Sequence, residues 1–284
     1  MTEAFSSVAI IGGGFMGAGI AETAAVAGIP VVVRELPQYL QASRQRLETS
    51  LNRAVKKGKL TNDQKLAVLA RITLTSELKD VAAADLIIEA VPEDIAIKTE
   101  ILRALDEMVG PETILASNTS AIPIAQLAGV VSHPERVVGL HFFSPVPVMA
   151  LVEIVHALDT SEDTIKKARL FVERIGKNAI VTKDRSGFIV NFLLVPYLMA
   201  AVRMYEEGFA SREDIDDGMR LGAGHPMGPL TLCDFIGLDV LHAVGNSMYD
   251  EFKLSEYAPP PVMKRMIAAG RLGRKSGRGF YDYS

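Results

Sequence analysis

Two residues twelve apart carry the clearest chemical suggestion in this chain. His141 follows the apolar run Val138-Gly139-Leu140, and Glu153 sits inside another, Leu151-Val152-Glu153-Ile154-Val155. A glutamate within an apolar strand needs a partner to offset its loss of water, and an imidazole is suited to that. Pro145 and Pro147 turn the chain between them. Oxidising an alcohol requires a base to take the hydroxyl proton as hydride leaves carbon. A histidine steadied by a carboxylate does that near neutral pH. From spacing alone, a purely structural histidine remains an equal alternative.

A second signal lies near the start, in Ile10-Ile11-Gly12-Gly13-Gly14-Phe15-Met16-Gly17. Gly12 allows a tight turn, Gly14 lets the backbone approach a pyrophosphate, and Gly17 lets helix and strand pack closely. A helix amino terminus then offers free N–H groups and partial positive charge to phosphates. Glu35 ends the next apolar run, 18 residues past Gly17. A carboxylate there accepts hydrogen bonds from both ribose hydroxyls and repels a 2′-phosphate, which favours NAD over NADP. Arg34 beside it leaves some room for NADP, and a glycine-rich turn with no ligand is the bland alternative. Residues 44–59 hold Arg44, Arg46, Arg53, Lys56, Lys57 and Lys59 against only Glu48. Such a basic hairpin attracts the phosphates of a nucleotide-bearing substrate, although a solvated helix face reads the same way.

The elements that must hold these residues alternate along the first half of the chain. Val8–Ile11, Val31–Val33, Ile72–Thr75, Leu86–Ile88, Ile114–Ala116, Val137–Leu140, Val152–Val155 and Ala179–Val181 read as strands. Continuous apolarity suits strands buried on both faces, hence a parallel sheet covered by helices. Helices are expected at about 15–42, 43–58, 62–70 and 95–109. Beyond Val181 the pattern turns helical, at Phe188–Glu207, Arg212–Leu221, Leu230–Tyr249 and Pro261–Ala269. The expected fold is α/β: a Rossmann-type doubly wound sheet with an inserted helical hairpin over 1–184, then an all-helical domain over 185–284.

Composition excludes several classes of protein. With 30 basic and 34 acidic residues the net charge is −4, which argues against a nucleic-acid-wrapping protein. The single cysteine, Cys233, excludes an internal disulfide and any CxxC motif, and its apolar context suggests core. His133 and His225 precede proline and suit turns; His156 and His242 lack partners at metal-ligand spacing, so no metal is expected. Phe188–Val202 is interrupted by Asn191 and Pro196 and is too short to span a bilayer comfortably. The start lacks a basic leader, so the cytoplasm is the expected compartment.

Segments GGGFMGAGIA (12–21), ASNTS (116–120), GLHFFSPVPVMALVEI (139–154), DRSGFIVN (184–191), GAGHPMGPL (222–230) and LGRKSGRGFY (272–281) resemble the 3-hydroxyacyl-CoA dehydrogenase family, in order from end to end. The resemblance implies NAD-dependent oxidation of a 3-hydroxyacyl-CoA, such as 3-hydroxybutyryl-CoA, or the reverse reduction. It makes His141 the catalytic base and Glu153 its partner, with Ser120 and Asn191 on substrate oxygens. Gly12, Gly14, Gly17 and Glu35 fall on dinucleotide positions, and Glu93, Lys98, Ser120 and Lys275 on cofactor contacts. Ser50, Lys57 and Ser120 match contacts to the coenzyme A substrate. Ser144, on the nicotinamide side, replaces the family's asparagine, and Phe192 replaces a basic residue. The family's usual pairing through its helical domain implies a homodimer. A carrier-protein-linked acyl group or a free hydroxy acid keeps the same chemistry with another handle; a non-catalytic NAD-binding protein would lack it.

Overall fold

Short runs of valine and isoleucine cannot satisfy their backbone groups alone once buried, and here they pair into one sheet. The computed structural model describes residues 5–283. They pack as two units that divide between Arg185 and Ser186. The strands of the first are β1 (Val8–Ile11), β2 (Val31–Arg34), β3 (Ile72–Thr75), β4 (Leu86–Glu89), β5 (Ile114–Ser117), β6 (Val137–Phe142), β7 (Leu151–His156) and β8 (Asn178–Lys183). Their order is β3-β2-β1-β4-β5-β6-β7-β8. Every residue of β1, β4, β5 and β6 is buried, as the unbroken apolar runs require. The winding reverses between β1 and β4, and the crevice at the carboxyl ends of strands beside such a switch is where open α/β sheets bind ligands.

A wholly parallel sheet is expected from these runs, yet β6 and β7 are antiparallel. The cause is length: only residues 143–150 join them, and parallel neighbours need a crossover of about a dozen residues or more. Parallel pairing resumes between β7 and β8.

Helices α1 (Phe15–Val26), α2 (Leu40–Lys56), α3 (Asn62–Ala70), α4 (Ile95–Asp106), α5 (Ile124–Ala128) and α6 (Glu162–Arg174) complete this unit. The helix expected at 15–42 is two helices with β2 between them. It stops at Val26 because Gly28 turns the chain at φ 84° and Pro30 follows. The hairpin is α2 and α3, the latter opened by a reciprocal Thr61–Gln64 capping box. Helix α6 is an addition to the expected elements. Ser161 caps it, and Thr164, Ala168, Phe171 and Val172 form its buried stripe.

In the second unit, α7 (Val190–Glu206), α8 (Arg212–Asp217), α9 (Pro229–Ile236), α10 (Leu238–Phe252) and α11 (Pro261–Ala268) enclose Leu198, Met199, Val202, Leu230, Cys233, Leu241 and Met248. The single helix expected at 230–249 breaks at Gly237, whose φ of 103° no helix accepts. A π-helical turn, Gly218–Gly222, extends α8.

Candidate active site

The antiparallel pair puts His141 directly opposite Glu153 in register, so both side chains leave the same face. The His141 Nδ1–H donates to Glu153 Oε2 at 2.6 Å. The glutamate side chain is 0% exposed and the histidine 5%. A carboxylate only accepts, so this bond fixes the proton on Nδ1 and makes Nε2 the accepting nitrogen of the ring. Nε2 lies 3.2 Å from Ser120 Oγ. The Phe143 ring leans on the imidazole, with centroids 4.6 Å apart. A buried imidazole with one nitrogen tied to a carboxylate and the other beside a hydroxyl is arranged to take and return a proton.

Ser120 is held by its neighbours in the turn after β5. Asn118 Oδ1 accepts the Phe142 N–H at 2.9 Å, tying that turn to the strand that carries His141. Glu93 Oε1 accepts from Thr119 Oγ1 at 2.5 Å, from the Ser120 N–H at 2.9 Å and from the Ala121 N–H at 3.1 Å. Its Oε2 lies 3.2 Å from Lys98 Nζ. Burial pushes the Glu93 carboxyl up, but the Lys98 ammonium, the Thr119 hydroxyl and the Ser120 amide together hold it below the usual range. Lys98 is 1% exposed and donates to both oxygens of Glu89, at 2.8 and 3.0 Å. Glu89 ends β4 and is 0% exposed.

The glycine-rich turn fits a dinucleotide. Gly12 has φ 101°, and a methyl group there would meet the Ala90 carbonyl oxygen at 2.8 Å. A side chain at Gly17 would run into the Gly12 carbonyl. Above Gly14, which precedes α1, nothing lies within 4 Å of where a Cβ would stand. The first turn of α1 has no side-chain cap and no acidic residue. The first N–H groups of a helix have no intrahelical partner, which suits a pyrophosphate. Glu35 accepts the Gly13 N–H at 2.8 Å and the Leu36 N–H at 2.7 Å, so it also braces the turn.

The remaining expected residues lie on other elements. Ser144 is exposed, just past β6. Ser50 lies on α2, and Lys57 is exposed at the end of that helix. Asn191 is in the first turn of α7, and Lys275 pairs with Asp239 at 2.6 Å; both belong to the helical unit. Glu89, Ser117 and Asn118 join the site without a strong signal in the sequence. Their signals are modest: a glutamate closing the run Leu86-Ile87-Ile88, and polar side chains in Ser117-Asn118-Thr119-Ser120. Among the described residues no group of three His, Cys, Asp or Glu could hold a metal ion.

Comparison with known proteins gives concordant matches. The model of the 3-hydroxyacyl-CoA dehydrogenase NAD binding domain matches residues 7–185, and that of the C-terminal domain matches 187–283. A 3-hydroxybutyryl-CoA dehydrogenase of Mycobacterium tuberculosis is 49% identical over 286 residues, covering 100% of both chains. The crystal structure of M. tuberculosis FadB2 superposes with a TM-score of 0.98 at 48% identity, over 99% of this chain and 100% of that one. That of (S)-3-hydroxybutyryl-CoA dehydrogenase PaaH1 from Ralstonia eutropha gives 0.93 at 45% identity, over 99% of each.

Proposed function

The chain belongs to the 3-hydroxyacyl-CoA dehydrogenase family, and from that premise we propose that His141 and Glu153 are the pair through which it works. It is an NAD-dependent oxidoreductase that interconverts a 3-hydroxyacyl-CoA, such as 3-hydroxybutyryl-CoA, and the 3-ketoacyl-CoA. The observation that carries the assignment is the 2.6 Å bond from His141 Nδ1 to a carboxylate wholly removed from water. It leaves Nε2 to accept the substrate hydroxyl proton during oxidation and to return it during reduction. Glu153 offsets the positive charge that the ring acquires. Ser120, 3.2 Å from Nε2, orients the same substrate oxygen. Bound nicotinamide supplies the hydride acceptor or donor. Gly12, Gly14, Gly17 and the α1 amino terminus would hold the pyrophosphate, and Glu35 the adenosine ribose, with NAD preferred over NADP. Glu93, Lys98 and Ser144 complete the cofactor contacts of this unit.

Ser50 and Lys57 are our candidates for the coenzyme A portion, supported by the basic hairpin that carries them. For Asn191 and Lys275, a substrate-oxygen contact and a cofactor contact rest on sequence resemblance alone. We also propose a homodimer formed through the helical unit, whose surface exposes Leu193, Phe209, Leu221 and Phe235. Light scattering tests that directly. A cytoplasmic site is favoured by the lone unpaired cysteine, and no helix among the described residues is long and apolar enough to cross a membrane.

The decisive experiment follows absorbance of NADH and NADPH with acetoacetyl-CoA, longer 3-ketoacyl-CoAs, carrier-linked analogues and free 3-keto acids. NADH oxidation that is fastest with a CoA thioester is expected. Binding of NADH without turnover on any thioester would overturn the catalytic assignment.

A further inference from the structure

Among the residues described above is a carboxylate with no hydrogen bond to the dyad. Glu89 is fully buried, yet four donor contacts converge on it. Lys98 Nζ reaches both oxygens, Ser117 Oγ donates to Oε2 at 2.6 Å, and the Val91 N–H donates to Oε1 at 2.7 Å. Lys98 projects from α4, Ser117 from the end of β5 and Val91 from the segment after β4, so Glu89 joins three neighbouring pieces of chain. The ammonium it holds is the same one that pairs with Glu93. Glu93 in turn binds the backbone of Ser120, whose hydroxyl faces His141 Nε2.

We propose that Glu89 is a positioning residue of the hydride-transfer reaction, acting through Lys98 and Glu93 to hold the Ser120 turn beside His141. The inference rests on His141 and Ser120 being the reacting pair. Its physical basis is charge balance. Lys98 is shared between two carboxylates, one wholly buried and one 42% exposed. If Glu89 loses its charge, the buried ammonium keeps only the Val91 carbonyl and one carboxylate, Glu93, and an undercompensated buried charge pulls that carboxylate towards itself. Glu93 cannot move towards Lys98 without loosening the Thr119, Ser120 and Ala121 bonds on its other oxygen. Ser117 couples the same carboxylate directly to the strand that leads into this turn.

The test compares Glu89→Gln, Glu89→Asp and Ser117→Ala with wild type. For acetoacetyl-CoA reduction at saturating NADH, E89Q should lower kcat by about tenfold or more, with the thioester KM within about threefold. E89D, which keeps the charge, should recover a large part of the loss. S117A should lower kcat severalfold in the same direction, and it keeps the proposal falsifiable if E89Q fails to fold. A readout independent of turnover is the histidine ¹⁵N spectrum, in which the His141 Nε2 resonance should shift in E89Q and S117A. Lower melting temperatures with kcat within twofold and an unmoved Nε2 resonance would reduce Glu89 to a structural residue and overturn the proposal. A wild type that turns over no thioester counts instead against the catalytic assignment; the Nε2 resonance still judges Glu89.

Discussion

Replacing Glu153 by glutamine removes one charge and almost no volume, so it isolates what the carboxylate contributes. In the wild type its oxygen is 2.6 Å from Nδ1 and the side chain has no exposure to water. Hydrogen bonds to charged groups are worth roughly 1.5–3 kcal/mol. The gross attraction between unit charges about 4 Å apart is about 4 kcal/mol at an effective dielectric of about 20. Both act on the imidazolium that forms as the proton leaves the substrate, and far less on the neutral ring before it. A loss of about 2–4 kcal/mol in the transition state corresponds to a fall in kcat of about 30- to 1000-fold. A glutamine that turns its NH₂ to Nδ1 moves the ring proton to Nε2 and removes the lone pair the base needs, so the larger end is accessible. Stopped-flow measurement of 3-hydroxybutyryl-CoA oxidation reads the effect, and NADH fluorescence titration should give a Kd within about twofold of wild type. Turnover within twofold of wild type would refute the charge-stabilisation reasoning. An equal weakening of NADH binding would move the defect from chemistry to the cofactor.

Glu35→Ala removes the brace on Gly13 along with the proposed ribose contact, so the KM for NAD should rise about tenfold and the preference over NADP should narrow; steady-state assays with both cofactors check it. Ser144→Asn adds reach and a carboxamide beside the β6 end; one new hydrogen bond of about 1 kcal/mol would lower the cofactor KM about fivefold, and an unchanged KM removes Ser144 from the cofactor site. Burial raises the Glu22 carboxyl above its ordinary 4.5, with Ser50 pulling the other way. A carboxyl raised in the folded state costs stability as pH climbs from its unfolded value through its folded one. Glu22→Gln should therefore melt higher than wild type at about pH 8, with the gain disappearing at about pH 4; scanning calorimetry across that range decides it.

The centre of the sheet was legible because β1, β4, β5 and β6 are buried on both faces and so read as largely apolar runs. The dyad was legible for the converse reason, since Glu153 interrupts such a run. Strand direction is not written in composition: β7 has the same valines and isoleucines that a parallel strand would have, and only the short connection 143–150 turns it round. Glu89 stayed hidden because its neutralising partner, Lys98, lies on the following helix, and proximity in space is invisible in a linear pattern. The break at Gly237 is silent in the sequence for a local reason. An apolar helical period continues on both sides of it, and the break comes from a backbone angle rather than from a change in polarity.

The antiparallel pairing of β6 and β7 has an engineering consequence. A proton-transfer pair set by strand register is anchored by the backbone hydrogen bonds of β6 and β7, so it tolerates exposed side-chain changes in the short connection between them. The exposed positions Val148, Met149 and Ala150 can then be varied, provided that the connection stays short and Phe143 stays against the imidazole. Libraries confined to those three positions should retain turnover. Single-residue insertions inside either strand should abolish it, because a slip of one position sends the histidine or its partner to the opposite side of the sheet.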